Sequence, residues 1–386
     1  MVEWRVDGGP AVAGRHYPRT PSEFEAWVPN ERAARAYLTA VRFRASRSCH
    51  KCGVELVLGG PRGTWCQACR RHVSLTTGTL MQGTRLPMKT WLAACWNITQ
   101  TKVGMSATGF ADSYGLSYTS TWLLFHKIRY AMEQTGREKL SGHIEIDETW
   151  VGGHEVGGRG KGSARKSVVI AACEFNPYGA IGRARLERAH SAGILSLKAF
   201  IRTHIEPGSI LFSDGAASYI TAVNDLHAEG LTYKLNQTNQ QTTTLAPDEV
   251  LHRVHRVISL FKRQHLGTFQ GGIGPQHLDA YLDEWVFRFN RRKSRNRGLL
   301  FWRLVTGITD TSGPLRYIDL RGAKAELAVA ARKHKALEHQ RMLDERSALN
   351  HHQYERRKAA KGGEPEPAPR GQLDPSLRHE EPLDPF

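Results

Sequence analysis

Residues 143–153 read His-Ile-Glu-Ile-Asp-Glu-Thr-Trp-Val-Gly-Gly. Apolar and acidic residues alternate at the start of this stretch, and a period of two is typical of a β-strand with one buried face. Such a strand carries Glu145 and Asp147 on one face and Ile144 and Ile146 on the other. The stretch therefore predicts a strand of a buried sheet that presents carboxylates along one side.

The sequence after this strand predicts further strands that alternate with helices. We expect strands over 167–175, 184–189, 209–213 and 231–235, and helices over 195–205 and 219–229. Three strands, then helix, strand, helix, strand and helix, is the order of an RNase-H-like mixed sheet. In that architecture the first and fourth strands are neighbours, so Asp147 and Asp214 would meet. Each aspartate has an alternative interpretation as an ordinary turn or cap residue.

Two carboxylates at one place repel each other unless a cation lies between them. Mg²⁺ is a hard cation that prefers such oxygen ligands. Two ions of this kind can hold the attacking and leaving oxygens of a phosphodiester reaction. The pair Asp147 and Asp214 therefore indicates metal-dependent phosphodiester chemistry.

The next helix has a clear apolar stripe, with apolar residues at positions i, i+3, i+4 and i+7. These are Val254, Val257, Ile258 and Phe261. His255 and Lys262 are seven residues apart, so they project from nearly the same side of the helix, next to the apolar stripe. This spacing can place a metal ligand beside a cation that binds phosphate. The alternative is two solvated helix residues.

Four of the six cysteines form two CxxC pairs, Cys49 with Cys52 and Cys66 with Cys69. Their spacing is C-x2-C-x13-C-x2-C, and two such knuckles complete a closed tetrahedral site of the structural Zn²⁺ type. Glycines and short apolar runs between the pairs predict a zinc ribbon. A redox CxxC is the alternative, but a redox pair does not need a second pair at this distance.

Composition limits the class of protein. The chain has 386 residues, enough for two or three domains. It carries 54 Lys and Arg against 37 Asp and Glu, a net charge of +17 that favours a polyanionic partner such as nucleic acid. It has neither a run of about 18 apolar residues nor an apolar leader at its start. We therefore expect no membrane contact and a location in the bacterial cytoplasm, near the nucleoid.

Two segments are candidates for DNA contact. Residues 102–132 suggest a helix-turn-helix, with a polar first turn on the second helix followed by a lysine. Its candidate contacts are Ser117, Ser120, Thr121 and Lys127. An ordinary packed helical hairpin is the alternative. Residues 288–297 carry six Lys and Arg and no acid, which is typical of a clamp for phosphates. Its candidate contacts are Arg291, Arg292, Lys293 and Arg295.

Several motifs in order resemble the bacterial insertion-sequence transposases that join a zinc ribbon to an RNase-H-like DDE domain. The resemblance covers residues 20–307. Its motifs are the two CxxC pairs, Ser74–Thr79, Leu86–Trp91, Lys102–Ala107, Ile146–Gly153, Ser213–Gly215, Lys262-Arg263, Gly267-Thr268 and Tyr281–Arg292.

The resemblance implies a transposase that binds the terminal inverted repeats of its element, cuts DNA strands and transfers them. Asp147 and Asp214 would be metal ligands. The family usually has Glu or Asn at the third position, seven residues before a lysine, and here that register falls on His255 and Lys262. The sequence thus resembles the branch with a DDHK signature. Its implied cofactors are structural Zn²⁺ and catalytic Mg²⁺ or Mn²⁺. Its implied partners are double-stranded DNA, as element ends and target, and further copies of the chain on that DNA.

The predicted fold class is therefore α/β: an RNase-H-like mixed-sheet catalytic domain preceded by a zinc ribbon and a helix-turn-helix-like domain. The expected divisions are an N-terminal segment with a short helix, the zinc ribbon, the helical DNA-binding domain, the catalytic domain, a charged helical tail and a disordered tail. Their bounds are 1–41, 42–86, 87–141, 142–307, 308–361 and 362–386. Two other functions fit parts of the pattern: a zinc-ribbon DNA-binding regulator without chemistry, and an RNase-H-like nuclease that cuts without joining.

Overall fold

The structure of the protein is a computed structural model. It describes residues 11–44, 49, 52, 54–60, 63–133, 138–152, 166–238, 250–311 and 315–320. The predicted tails therefore lie almost wholly outside the described residues. No helix among the described residues is both long enough and apolar enough to cross a membrane.

The N-terminal segment forms two helices, α1 (Pro21–Trp27) and α2 (Glu31–Arg42), where the sequence predicted a single short helix within residues 1–41. The break falls at Val28, just before Pro29, because a residue that precedes proline is disfavoured in the helical conformation. The side chain of Asn30 then caps α2 by accepting a hydrogen bond from the main-chain N–H of Ala33 at 3.0 Å. The single predicted helix is thus corrected to two.

The cysteine-rich segment folds as a small antiparallel sheet of three strands. These are β1 (Val57–Gly60), β2 (Gly63–Cys66) and β3 (Arg71–His72), in the order β1-β2-β3. A separate apolar cluster lies beneath them and contains Phe43, Cys49, Leu56, Cys66 and Val73. This segment therefore has a small core of its own, as the predicted zinc ribbon requires.

Three helices follow: α3 (Met88–Gln100), α4 (Ala107–Tyr114) and α5 (Tyr118–Met132). The turn between α4 and α5 contains Gly115 at φ 62°, a left-handed conformation that glycine adopts without a Cβ penalty. The side chain of Ser117 caps α5 as predicted, accepting from the N–H of Ser120.

The central sheet has five strands in the order β6-β5-β4-β7-β8. They are β4 (His143–Val151), β5 (Ser167–Phe175), β6 (Ile181–Ala189), β7 (Ile210–Asp214) and β8 (Lys234–Thr238). β4, β5 and β6 form an antiparallel meander, while β7 pairs in parallel with β4 and β8 in parallel with β7. This is the predicted RNase-H-like topology, although β8 begins three residues later than expected.

Four helices cover the two faces of this sheet. α6 (Ile194–His204) and α7 (Ala217–Ala228) pack on one face, together with Ile144 and Ile146. α8 (His252–Phe269) and α9 (Leu278–Phe289) pack on the other face. Glu145 and Asp147 thus lie on the opposite side of β4 from Ile144 and Ile146, as the alternation predicted.

The last long helix, α10 (Arg297–Asp310), does not pack on the sheet. Its residues Phe301 and Leu304 belong to the core formed by the N-terminal helices. Gly298 lies so close to the N-terminal segment that a Cβ there would come within 1.9 Å of the main-chain oxygen of Pro18. The helical core is thus built from both ends of the described chain, and the boundary predicted at residue 307 falls inside α10.

Candidate active site and metal centre

Asp147 and Asp214 lie on adjacent parallel strands. β4 and β7 pair in register from His143 with Ile210 to Glu145 with Phe212. The same register continued by two residues places Asp147 level with Asp214. Because alternate residues of a strand share a face, both carboxylates lie on the side of the sheet that α8 covers.

His255 brings an imidazole to the same place from α8. Its Nε2 lies 3.1 Å from Oδ2 of Asp147, within hydrogen-bond distance. The His255 side chain is 37% exposed and that of Asp147 19%, so the pair is open to a ligand from one side. The hydrogen bond to Asp147 is the main cause that raises the pKa of His255. The predicted third residue therefore lies beside the first aspartate.

The turn that carries Asp214 is fixed from two directions. Its own Oδ1 accepts a hydrogen bond from the N–H of Ala216 at 3.1 Å. Gln237, on β8, donates from Nε2 to the main-chain oxygens of Asp214 and Ala216 at 2.9 and 3.0 Å. Sequence reasoning missed this role, because Gln237 stands at the start of a polar run that reads as a loop.

Lys262 lies on the same helix as His255, about two turns further along. Its ammonium group is half-buried, and burial lowers the pKa of this lysine while Asp147 acts in the opposite direction. Asp147 on the sheet thus acts electrostatically on both His255 and Lys262 of α8, and Asp214 acts on His255.

Two glutamates of β4 lie near Asp147 in the sequence and have different partners. Glu145 is buried and points to the first turn of α8, where Arg253 pairs with it at 2.7 Å. Glu148 lies on the opposite face of the strand, beside Tyr219 of α7. Burial is the main cause that raises the pKa of Glu148 to about 7. The charges of Asp147 and Asp214 also raise the pKa of Glu148, so this glutamate lies near the two aspartates, whereas Glu145 is engaged by α8.

The donor set at Asp147, Asp214 and His255 fits a divalent cation. Two carboxylates provide hard oxygen ligands, and a neutral imidazole is a ligand that Mn²⁺ accepts readily. Asp147 and Asp214 lie on one face of the sheet, opposite Ile144 and Ile146, and His255 reaches Asp147 from α8.

The four ribbon cysteines also form a cluster. Their sulfur atoms all lie within 4.8 Å of one another. Cys49 and Cys69 are 4.0 Å apart, and Cys52 and Cys66 are 3.5 Å apart. A tetrahedral Zn²⁺ site with bonds of about 2.3 Å has sulfur atoms about 3.8 Å apart. The N–H of Cys69 donates to the sulfur of Cys66 at 3.4 Å, which is a knuckle turn. This four-cysteine cluster fits a zinc ribbon.

The structure changes the set of candidate DNA contacts on α5. Thr121 and Lys127 are 0% and 5% exposed. Lys127 Nζ donates to the main-chain oxygen of Gln82, so its charge points into the protein. These two residues are corrected from DNA contacts to core residues, because α5 packs against α3, α4, α9 and α10. Ser117 and Ser120, in the exposed first turn, stay predictions.

The basic segment after α9 is also partly internal. Arg291 donates to the main-chain oxygen of Phe287 at 2.9 Å and stacks on its ring at 4.1 Å. Arg292 donates to main-chain oxygens of β6 and stacks on Phe289 at 3.9 Å. These two guanidinium groups use part of their donors within the protein, and their assignment to a phosphate clamp stays a prediction. Lys293 and Arg295 are exposed and stay predicted contacts.

A basic groove runs along α8 and was not anticipated. It has a volume of about 330 Å³ and is lined by His252, His255, Arg256, Ser259, Leu260 and Arg263. None of these six side chains is acidic. Arg256, Ser259 and Arg263 are exposed and follow one face of the helix at i, i+3 and i+7. The spacing of these three residues is visible in the sequence, but it does not differ from that of an ordinary solvated helix face. Only the structure shows that this face lies next to His255.

Part of the chain matches a known protein family. Residues 139–290 match the ISXO2-like transposase domain family, a range that contains the whole sheet together with α8 and α9. No curated protein matches the chain.

The solved structures that match the chain are only distantly similar to it. A chain of the simian T-cell lymphotropic virus intasome, solved with the PP2A regulatory subunit B56 gamma, has 12% identity and a TM-score of 0.27, over 47% of this chain and 63% of that one. A pre-cleavage Mos1 transpososome has 12% identity and a TM-score of 0.25, over 55% and 76%. The Mos1 transposase paired-end complex with the left transposon end has 14% identity and a TM-score of 0.24, over 57% and 75%. This chain thus spans less than two thirds of the intasome chain.

The family match and the arrangement of the acidic strands lead to the same assignment. Residues 139–290 are similar to the ISXO2-like transposase domain, and the five-stranded mixed sheet within them has the RNase-H-like strand order.

Proposed function

We propose that the protein is the transposase of an insertion sequence, which cuts DNA at the ends of its element and joins the freed 3′ ends to a target. The observation that carries the proposal is the 3.1 Å approach of His255 to Asp147, at the point where β4 lies beside β7. The three proposed ligands, Asp147, Asp214 and His255, all fall within residues 139–290, which match the transposase family, and this supports the proposal.

Asp147, Asp214 and His255 are the proposed ligands of Mg²⁺ or Mn²⁺. Bound there, the cations would stabilise the attacking and leaving oxygens of the phosphodiester reaction. Lys262, two helical turns from His255, would hold a phosphate next to the one that reacts. His255 must be unprotonated to act as a ligand, and its partner Asp147 would exchange the hydrogen bond for a shared cation.

The groove on α8 is the proposed path of the DNA strand that leaves this site. Arg256 and Arg263 are seven residues apart, so their backbone positions are separated by about 10 Å along the helix. That distance matches about three phosphates along one strand. The absence of acidic side chains among the groove residues favours a phosphate backbone as the ligand.

The N-terminal parts of the chain are proposed to bind the element ends. The four-cysteine ribbon would hold one structural Zn²⁺, and the exposed first turn of α5 would present Ser117 and Ser120 to DNA. Lys293 and Arg295 would add phosphate contacts. Because two ends must be held together for transfer, we propose that copies of the chain assemble on the DNA.

The test uses the purified protein with labelled duplexes that carry the inverted repeats flanking its gene. Wild-type protein with Mn²⁺ should nick the element end and join it to a target plasmid, and Asp147→Asn should do neither. Cleavage without joined products would favour the RNase-H-like nuclease. End binding without cleavage under any divalent cation would favour the DNA-binding regulator and overturn the proposal.

A further inference from the structure

The carboxylate of Glu145 joins β4 to the first turn of α8. Its Oε2 accepts hydrogen bonds from the main-chain N–H groups of Arg253 and Val254, each at 2.8 Å. Its Oε1 accepts from Nη1 of Arg253 at 2.7 Å. The Glu145 side chain is only 4% exposed, so these bonds form away from water. Buried hydrogen bonds to a carboxylate are among the stronger ones in proteins.

The residue that precedes α8 provides no side-chain cap. This residue, Leu251, is in the left-handed conformation at φ 52°, and its side chain is apolar. The first N–H groups of a helix have no partner within the helix and need an acceptor from elsewhere. Glu145 provides that acceptor, and its negative charge lies at the positive end of the helix dipole.

Arg253 also contacts the turn that joins β5 to β6. Its Nε donates to the main-chain oxygen of Gly179 at 3.1 Å, and its guanidinium stacks on the ring of Phe175 at 4.3 Å. Gly179 has φ +82°, and a Cβ there would come within 3.1 Å of Nη2 of Arg253. The arginine is therefore held between β4 and the turn that joins β5 to β6.

On both elements, these contacts lie two residues before a proposed metal ligand. Glu145 precedes Asp147 by two residues on the same face of β4. Arg253 precedes His255 by two residues on α8. One carboxylate thus ties the two elements together beside the pair of proposed metal ligands that they carry. A small shift of the start of α8 would move the imidazole away from Asp147.

We propose that Glu145 is a positioning residue, which sets the distance between Asp147 and His255 by capping α8 and fixing Arg253. The inference rests on the proposed metal-binding role of Asp147 and His255. Glu145 itself acts through the helix and is not expected to bind the cation, because both of its oxygens are occupied by the cap.

A second helix in the chain is capped by a glutamate and provides a control for the role of Glu145. Glu31 caps α3 in the same way, accepting from the N–H groups of Met88 and Lys89 at 3.0 Å each. It also pairs with an arginine, Arg35. Glu31 contacts neither β4 nor α8 in these bonds, so its removal uncaps a helix without touching the candidate site.

The experiment measures Mn²⁺ binding to the full-length zinc-loaded protein without DNA, by electron paramagnetic resonance of the free ion. Glu145→Ala should weaken Mn²⁺ binding by about 10- to 100-fold, as expected when a side chain that orients a ligand is removed. Glu145→Gln, which can still accept from the main chain, should recover part of the affinity. Glu31→Ala should bind Mn²⁺ as wild type does. Amide hydrogen exchange should speed up at residues 252–255 only in the Glu145 variants.

Two results would overturn the inference in distinguishable ways. Wild-type affinity in Glu145→Ala, with affinity lost in Asp147→Asn, would reject the positioning role and leave the metal site in place. Equal binding by wild type and Asp147→Asn would reject the metal site itself, and the inference with it. If Glu145→Ala does not fold, Arg253→Met removes the same ion pair and should weaken Mn²⁺ binding, and unchanged binding in that variant would also contradict the proposal.

Discussion

Nε of Arg129 lies 2.7 Å from Oε2 of Glu284, and the two side chains are 1% and 0% exposed. The pair joins α5, in the helical core, to α9, which packs on the sheet. Arg288 approaches the same glutamate at 3.3 Å, and the guanidinium of Arg129 lies 3.8 Å from the ring centre of Tyr281. One buried carboxylate thus neutralises cations on α5 and α9, and it connects the helices proposed to bind element ends to the helix that packs on the five-stranded sheet.

Glu284→Gln should destabilise the fold more than Arg129→Met does. The first change leaves two buried guanidinium groups without a counter-charge, whereas the second leaves Glu284 paired with Arg288. Breaking a buried pair typically costs about 3–5 kcal/mol. Urea unfolding followed by tryptophan fluorescence checks this order, with Glu23→Gln in an exposed pair as the control. An equal loss in both variants would contradict the shared role of Glu284.

His255→Ala should abolish cleavage and joining but preserve binding to element ends, because the proposed end contacts lie elsewhere. His255→Glu should retain part of the activity and shift the preference from Mn²⁺ toward Mg²⁺, since a carboxylate is the harder ligand. Lys262→Ala should raise the DNA concentration needed without changing the metal preference. The measurement is end cleavage as a function of each cation. Wild-type cleavage by His255→Ala would place the third ligand at another residue.

Arg256→Ala and Arg263→Ala should each weaken DNA binding without altering the metal preference. Loss of one phosphate contact lowers the slope of log K against log salt by about 1, so the double variant should lose about 2. Binding titrations over a range of salt concentrations test this, with Arg303→Ala on the exposed side of α10 as the control. A slope unchanged in the double variant would exclude the groove as the DNA path.

Removal of Zn²⁺ by a chelator should unfold the ribbon, over residues of about 45–75, and leave the sheet folded, because the ribbon has its own small core. End binding should weaken. Metal analysis should give one zinc per wild-type chain and none in Cys66→Ser. Absence of zinc from both proteins would show that the four-cysteine cluster is not a metal site.

His126 should make the protein less stable in mild acid. Burial and the nearby charge of Arg129 hold the pKa of His126 well below its usual range. Below about pH 6.5 the unfolded chain binds a proton that the folded chain does not, so stability falls as the pH drops. The loss of thermal stability between about pH 7.5 and about pH 5.5 should be smaller in His126→Phe than in wild type. An equal loss in both proteins would assign the acid sensitivity to other groups, such as His265 and His277, whose pKa values burial also lowers.

Sequence alone determined the features that depend on local pattern. The period of two at 143–147 and the apolar runs after it predicted the strands of the sheet and their order, because alternation reports which face is buried. The cysteine spacing predicted the ribbon in the same way, because ligands two residues apart can share one ion. The seven-residue spacing from Lys262 and the resemblance to a family predicted His255 as the third residue of the site. In the structure, α8 carries His255 to Asp147.

Tertiary structure decided what each charged side chain does. Lys127, Arg291 and Arg292 read as DNA contacts in the sequence, yet their charges are directed to main-chain oxygens of the protein. Glu145 and Glu148 are close in sequence but lie on opposite faces of β4. Glu145 caps α8, whereas Glu148 is buried beside Tyr219. A charge has the same appearance in the sequence whether it faces solvent or an unpaired main-chain group, and only packing between distant segments determines which partner it meets.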